Sequence, residues 1–151
     1  MKKIPNWLIW TFAITAFAGL LDATYLTVAQ ISGSELNCTI FEGCNEVARS
    51  KYSEIFGIPV ALFGALFYLT MLILSLLYYD TRSRAVLSII PPIAAAGFLF
   101  TLYLVYLQLF VIHAVCIYCM FSALTTTTLF VLSISLLRSF LLSRQEDQKV
   151  D

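Results

Sequence analysis

Four long apolar runs, joined by short polar links, constrain this chain more than anything else in it. They cover residues 7–31, 57–79, 85–109 and 114–137. Each is long enough to cross a hydrocarbon core, which takes about 20 helical residues. A helix satisfies its own backbone where water is absent. The expected fold is therefore all-α: an integral membrane bundle of four transmembrane helices. Composition agrees, with 60% hydrophobic and 12% charged residues against about 25% charged in an ordinary soluble domain. A length of 151 residues leaves room for one membrane domain over 1–151. Nine basic residues balance nine acidic ones, so no basic face for nucleic acid is visible. No phosphate-binding glycine loop and no H-E-x-x-H is present.

The first run has Lys2 and Lys3 in front and an A-x-A at its centre, as a signal peptide does. It is longer than the roughly 7–15 apolar residues of a signal core, so it reads as a retained helix. Orientation follows from basic residues, which favour the cytoplasmic side. With the N-terminus inside, Lys2, Lys3, Arg82, Arg84, Arg138, Arg144 and Lys149 lie inside. Only Arg49 and Lys51 lie outside. Both termini are then cytoplasmic, in a multi-pass protein of the plasma membrane with a cytoplasmic tail at 138–151. The tail is polar from Ser143 and expected to be disordered. Trp7, Trp10, Tyr78 and Tyr79 fall near one set of helix ends, as an interfacial belt would.

The long loop, 32–56, is outside. It carries Cys38 and Cys44, and a short surface helix capped by Asn45 and ending near Ser50 is expected in it. The turn 110–113 before the fourth run is also outside, so Cys116 and Cys119 at the head of that run share the same side. The outer side is where disulfides persist. Cys116 and Cys119, three apart, share a helix face and can form or attack a disulfide. A helix N-terminus is partially positive and lowers a thiol's pKa. Cys116 lies nearest that terminus and Cys119 one turn deeper, roughly 4.5 Å along the axis. The shallow thiol suits exchange with another disulfide, the deep one a membrane-dissolved oxidant. Two other readings of the cysteines are simple helix packing and a zinc site. Cys38 and Cys44 could close a small, mobile disulfide that exchanges with Cys116.

Three weaker features remain. Asp22 is a carboxylate inside the first helix, where a functional or paired role is the default; it could handle protons or make a structural hydrogen bond. His113, three residues before Cys116, could donate a proton or stabilise a thiolate, or simply sit at the interface. Residues 125–128 are four threonines that should bond back to their own helix. Phe63, Phe67, Phe98 and Phe121 could line a flat pocket or merely pack. Pro91-Pro92 should bend the third helix.

The pattern resembles the prokaryotic branch of the vitamin K epoxide reductase family. The resemblance rests on Cys116-Ile-Tyr-Cys119 opening the fourth helix, Cys38 and Cys44 in the first loop, and Ser50 soon after. It extends to Gly19-Leu-Leu-Asp-Ala-Thr-Tyr-Leu26 and Phe56-Gly-Ile-Pro-Val-Ala-Leu-Phe-Gly64. The other four-helix, quinone-linked thiol oxidase family carries its two pairs in the reverse order. The resemblance implies a bundle around a quinone (menaquinone, ubiquinone or vitamin K type). It makes Cys119 the quinone-proximal thiol, Cys116 its partner, Cys44 the loop thiol that exchanges with Cys116, and Cys38 the thiol attacked by a thioredoxin-like protein. Ser50 would support the site. The implied activity is a quinone-dependent thiol–disulfide oxidoreductase that keeps an extracytoplasmic folding catalyst oxidised. Animal enzymes of the family have an asparagine and a tyrosine where Val60 and Ala123 stand here, which favours quinone over epoxide reduction. Many prokaryotic relatives carry a fused thioredoxin-like domain; its absence from this sequence makes the expected partner a separate protein. The rival from another class is a transporter or scaffold with a structural disulfide.

Overall fold

The computed structural model describes residues 4–36 and 43–149. Four of its helices are long and apolar enough to cross a membrane: Asn6–Ser32, Val60–Thr81, Arg84–Ile112 and Ile117–Leu142. The protein is an all-helical membrane bundle. In chain order, α1 is Asn6–Ser32, α2 the short Gly43–Arg49, α3 Val60–Thr81, α4 Arg84–Tyr106 and α5 Ile117–Lys149. Between α4 and α5 the chain winds as a π-helical segment, Leu107–Ile112. A two-stranded hairpin, β1 Glu54–Ile55 with β2 Ile58–Pro59, leads into α3.

Local chemistry sets these boundaries. Gly33, at φ 65°, takes the left-handed conformation that ends α1, and its N–H bonds back to Gln30. Pro59 stands immediately before α3, where its missing N–H costs nothing. The hairpin turns at Phe56 and Gly57, both with positive φ, as a tight two-residue turn requires. α4 stays helical across Pro91 and Pro92. α5 does not stop at the membrane boundary but runs to Lys149, against the expectation of a disordered tail. Arg, Gln, Glu and Lys are strong helix formers, and extending a helix already nucleated adds one bond per residue.

α1 lies against α3 and α5, and α4 against α5. Most of the buried core belongs to one cluster through the bundle's body, including Phe12, Ala16, Tyr68, Met71, Leu87 and Leu129. Small residues let the helices close up: Gly19 meets the Tyr68 ring and Gly97 the Phe67 ring, with no room for a Cβ at either. The Tyr68 hydroxyl reaches Ser122 Oγ (2.9 Å), Thr125 Oγ1 (2.8 Å) and Thr126 Oγ1 (2.7 Å). These bonds tie α3 to α5 inside the bundle. Thr127 and Thr128 bond back to the carbonyls of Ala123 and Leu124, as the threonine run suggested. At the end carrying the chain termini, Trp10 packs on Tyr79 at 5.7 Å. Arg82 covers Tyr78 and Tyr79 and donates to Asn6 Oδ1 at 2.5 Å. This is the composition of a membrane–water boundary.

Candidate functional site

At the opposite end a second, smaller cluster buries Ala29, Leu36, Cys44 and Cys116, with Cys119 packed against it. The loop is drawn onto the bundle by polar hooks. Gln30 of α1 donates from Nε2 to the carbonyl (3.2 Å) and Oγ (3.0 Å) of Ser53. Ser53 Oγ donates in turn to the carbonyls of Ala48 and Ser50, fastening the end of α2. Asn45 does not cap α2 as expected. It lies within the helix, and its Oδ1 accepts the Leu36 N–H at 3.0 Å, pinning the loop's start to α2. Ser50 Oγ bonds to the Val47 carbonyl at 2.8 Å, so its hydroxyl closes the last turn of α2.

Gly43 sets the approach of α2 to the head of α5. A Cβ there would lie 2.9 Å from Val115 N and 3.0 Å from Val115 O. Only a residue without a side chain lets the two backbones meet so closely. The consequence is that Cys44 and Cys116, 0% and 1% exposed, are buried together. Cys44 is disulfide-bonded; Cys38 lies outside the described residues. Cys116 and Cys119 are free thiols.

Cys116 stands one residue ahead of α5, and its carbonyl accepts the Met120 N–H at 3.0 Å. Its sulfur therefore faces the positive end of the helix. The Cys119 side chain bonds to that sulfur, and the backbone N–H groups of Cys119 and Tyr118 add to it. Together they outweigh burial and hold the Cys116 thiol down to about 7. A thiol so placed is about half ionised at neutral pH, and the thiolate is the form that exchanges.

The Cys116 N–H is not left over. It donates to Oε1 of Gln108 at 3.2 Å. Gln108 is 4% exposed, and its carbonyl accepts the Ala114 N–H at 3.2 Å. Its side chain also lies within electrostatic reach of Cys119. No sequence pattern pointed to Gln108, Gln30 or Asn45 in these roles. His113 is exposed, with φ 55°, in the turn from the π-helical segment. It does not line the cavity described next. Asp22 is partly buried, with Oδ2 unpartnered, within electrostatic reach of Cys116 and Cys119. One turn on, Tyr25 contacts Tyr118 at 5.2 Å between rings.

A cavity of about 190 Å³ opens beside the cysteines. Cys44, Cys116 and Cys119 all line it, with Phe63, Phe67 and Leu104 among the apolar walls. Phe98 instead stacks on Phe130 at 4.7 Å, and neither Phe98 nor Phe121 lines the cavity. Val60 and Ala123 do. Cys38 apart, the cysteines of both pairs line one apolar chamber.

Residues 10–134 match the model of the vitamin K epoxide reductase family. The chain is also 32% identical over 126 residues to the thiol-disulfide oxidoreductase LTO1 of Arabidopsis thaliana, a match covering 76% of this chain. It spans 33% of that relative's length. With a family match over most of its length, this chain belongs to the vitamin K epoxide reductase family.

Proposed function

We propose that this protein is a membrane thiol–disulfide oxidoreductase that passes electrons through its two cysteine pairs to a quinone. The observation that carries the reading is the burial of Cys44 and Cys116 in one cluster, beside a cavity that Cys119 also lines. The donor is an extracytoplasmic thioredoxin-like dithiol that reduces the Cys38–Cys44 pair. The Cys44 thiolate then attacks Cys116 in the Cys116–Cys119 disulfide. A Cys44–Cys116 bond forms, the Cys116–Cys119 bond breaks, and the electron pair leaves on Cys119. Cys38 resolves the mixed disulfide by attacking Cys44, and both cysteines of the inner pair are then reduced.

A quinone suits the chamber: its walls are apolar and aromatic, and a thiol opens onto it. When bound it would supply a two-electron, two-proton acceptor, restoring the inner disulfide. Val60 and Ala123 offer this cavity no hydrogen-bonding side chain, which favours quinone over epoxide as the acceptor. Asp22 takes up a proton released as the thiols are oxidised; its unpartnered buried oxygen is the support for that role. Both termini face the cytoplasm and the cysteine end faces outward.

The test mixes purified protein, a reduced thioredoxin-like protein and a quinone, and follows quinone absorbance. Turnover that needs all four cysteines is expected. No turnover with ubiquinone, menaquinone or simple analogues overturns the reading. Full activity of Cys119→Ser, measured as the cell's disulfide-forming capacity, would favour a scaffold.

A further inference from the structure

Gln108 is a buried, uncharged amide, and its oxygen is in use. Burying such a group is costly unless its polar atoms are bonded. Oε1 accepts the Cys116 N–H at 3.2 Å, and the same side chain lies within electrostatic reach of Cys119. The residue also lines the cavity with both cysteines. It sits on the π-helical segment Leu107–Ile112, and one-turn π distortions gather at functional sites. Its own carbonyl holds the Ala114 N–H. One residue therefore fastens the approach to the cysteine motif by its backbone and touches the motif by its side chain. With Oε1 committed to Cys116, the N–H end of the amide is the one left for the Cys119 sulfur.

We propose that Gln108 is a catalytic residue whose Oε1 locks the backbone of Cys116 while its Nε2–H stabilises the thiolate that leaves on Cys119. The step it serves rests on the relay proposed above. When an incoming thiolate attacks Cys116, the inner S–S bond breaks and its electron pair departs on Cys119. Exchange is faster when the leaving sulfur is better stabilised, and a hydrogen bond to an ionised acceptor is about twice as strong as a neutral one. A neutral amide can do this at both redox stages without adding a charge to an apolar chamber. The other titratable groups facing Cys119 are Cys116 and Asp22. Both are anionic when ionised, so neither can stabilise a thiolate there. The amide is the neutral donor within reach of it.

The test uses the full-length protein in detergent or nanodiscs, with no quinone and no partner. Gln108→Glu keeps the acceptor oxygen and the shape but replaces the N–H donor. Gln108→Met removes both. Peptide-resolved alkylation of the reduced protein by iodoacetamide, across about pH 6 to 10, reads each thiol separately. Opening of the oxidised inner pair by dithiothreitol reads the leaving step. In Gln108→Glu, Cys119 alkylation and disulfide opening should both slow by about tenfold or more, and the added carboxylate beside the Cys116 N–H should raise the Cys116 midpoint as well. Gln108→Met should slow both and also shift Cys116. Wild-type Cys119 profiles and opening rates in the uncharged Gln108→Met overturn the proposal, leaving Gln108 only a backbone tether. If Gln108→Met does not fold, the uncharged, smaller Gln108→Leu takes its place, and wild-type Cys119 rates in it overturn the proposal equally. A protein that shows the Gln108 effect but no quinone turnover would keep this inference and lose the relay's last step.

Discussion

The described residues bury two clusters, and they are built on different principles. The larger one, through Phe12, Ala16, Tyr68, Met71 and Leu129, is packed by shape, with glycines admitting aromatic rings and one tyrosine hydroxyl tying two helices. The smaller one holds Cys44 and Cys116 and is held by side-chain amides: Gln30 on Ser53, Asn45 on Leu36, Gln108 on Cys116. Interlocked apolar packing resists rearrangement. A hydrogen bond to a backbone group fixes position but contributes only about 1 kcal/mol net. The first arrangement suits a frame; the second suits a site where partners must be exchanged.

That contrast can be broken most sharply at the sulfurs. Cys119→Ser should take turnover to the uncatalysed background while leaving the thermal midpoint nearly unchanged, read by quinone absorbance and thermal melts. The frame should behave in the opposite way. Leu129→Ala, at a position with no exposure, should cost about 2–5 kcal/mol and leave the pH profile of Cys116 alkylation intact. A shifted profile would show that the two clusters are not separable. Gly43→Ala tests the seam between α2 and α5. It should cost about 1–3 kcal/mol as an overpacked contact and slow exchange between Cys44 and Cys116 in stopped-flow disulfide exchange.

A smaller effect concerns acidity. Cys116 is held at about 7, first by the Cys119 side chain. A lowered acid pKa means more thiolate at a given pH, so its alkylation rate should rise through neutral pH rather than near the ordinary value of about 8.5. Cys119→Ala removes the leading cause, and the midpoint should climb back toward that ordinary value. An unmoved midpoint would assign the effect to the helix end instead. Smallest of all, Asp22→Asn should leave the fold intact and slow turnover severalfold with a flatter pH–rate profile. An unaltered profile removes the proton role.

The membrane spans and the C-x-x-C were legible in the sequence because both are written in residue type. Twenty oily residues in a row have few alternatives, and two cysteines on one helix turn share a face. The polar hooks were not legible. Gln30 and Gln108 each interrupt an apolar run, and a single amide there reads the same whether it faces lipid, core or cysteine. Helix facing was equally hidden. Ile14, Phe17 and Leu21 are exposed while Phe12 and Ala16 are buried, so oil lies on both sides of α1 and periodicity carries little. The π-helical winding at Leu107–Ile112 shifts the face presented by each later residue, which no 3.6-residue count anticipates. Asn45 was seen as a cap because its type suits one; its actual bond is to a backbone group nine residues away.

One detail has a mechanical consequence. Both backbone groups of Cys116 are engaged, the N–H by Gln108 and the carbonyl by Met120. Its sulfur thus behaves as a fixed electrode. In the relay proposed above, the incoming thiol is the part that must be brought into line, against a backbone held from both sides.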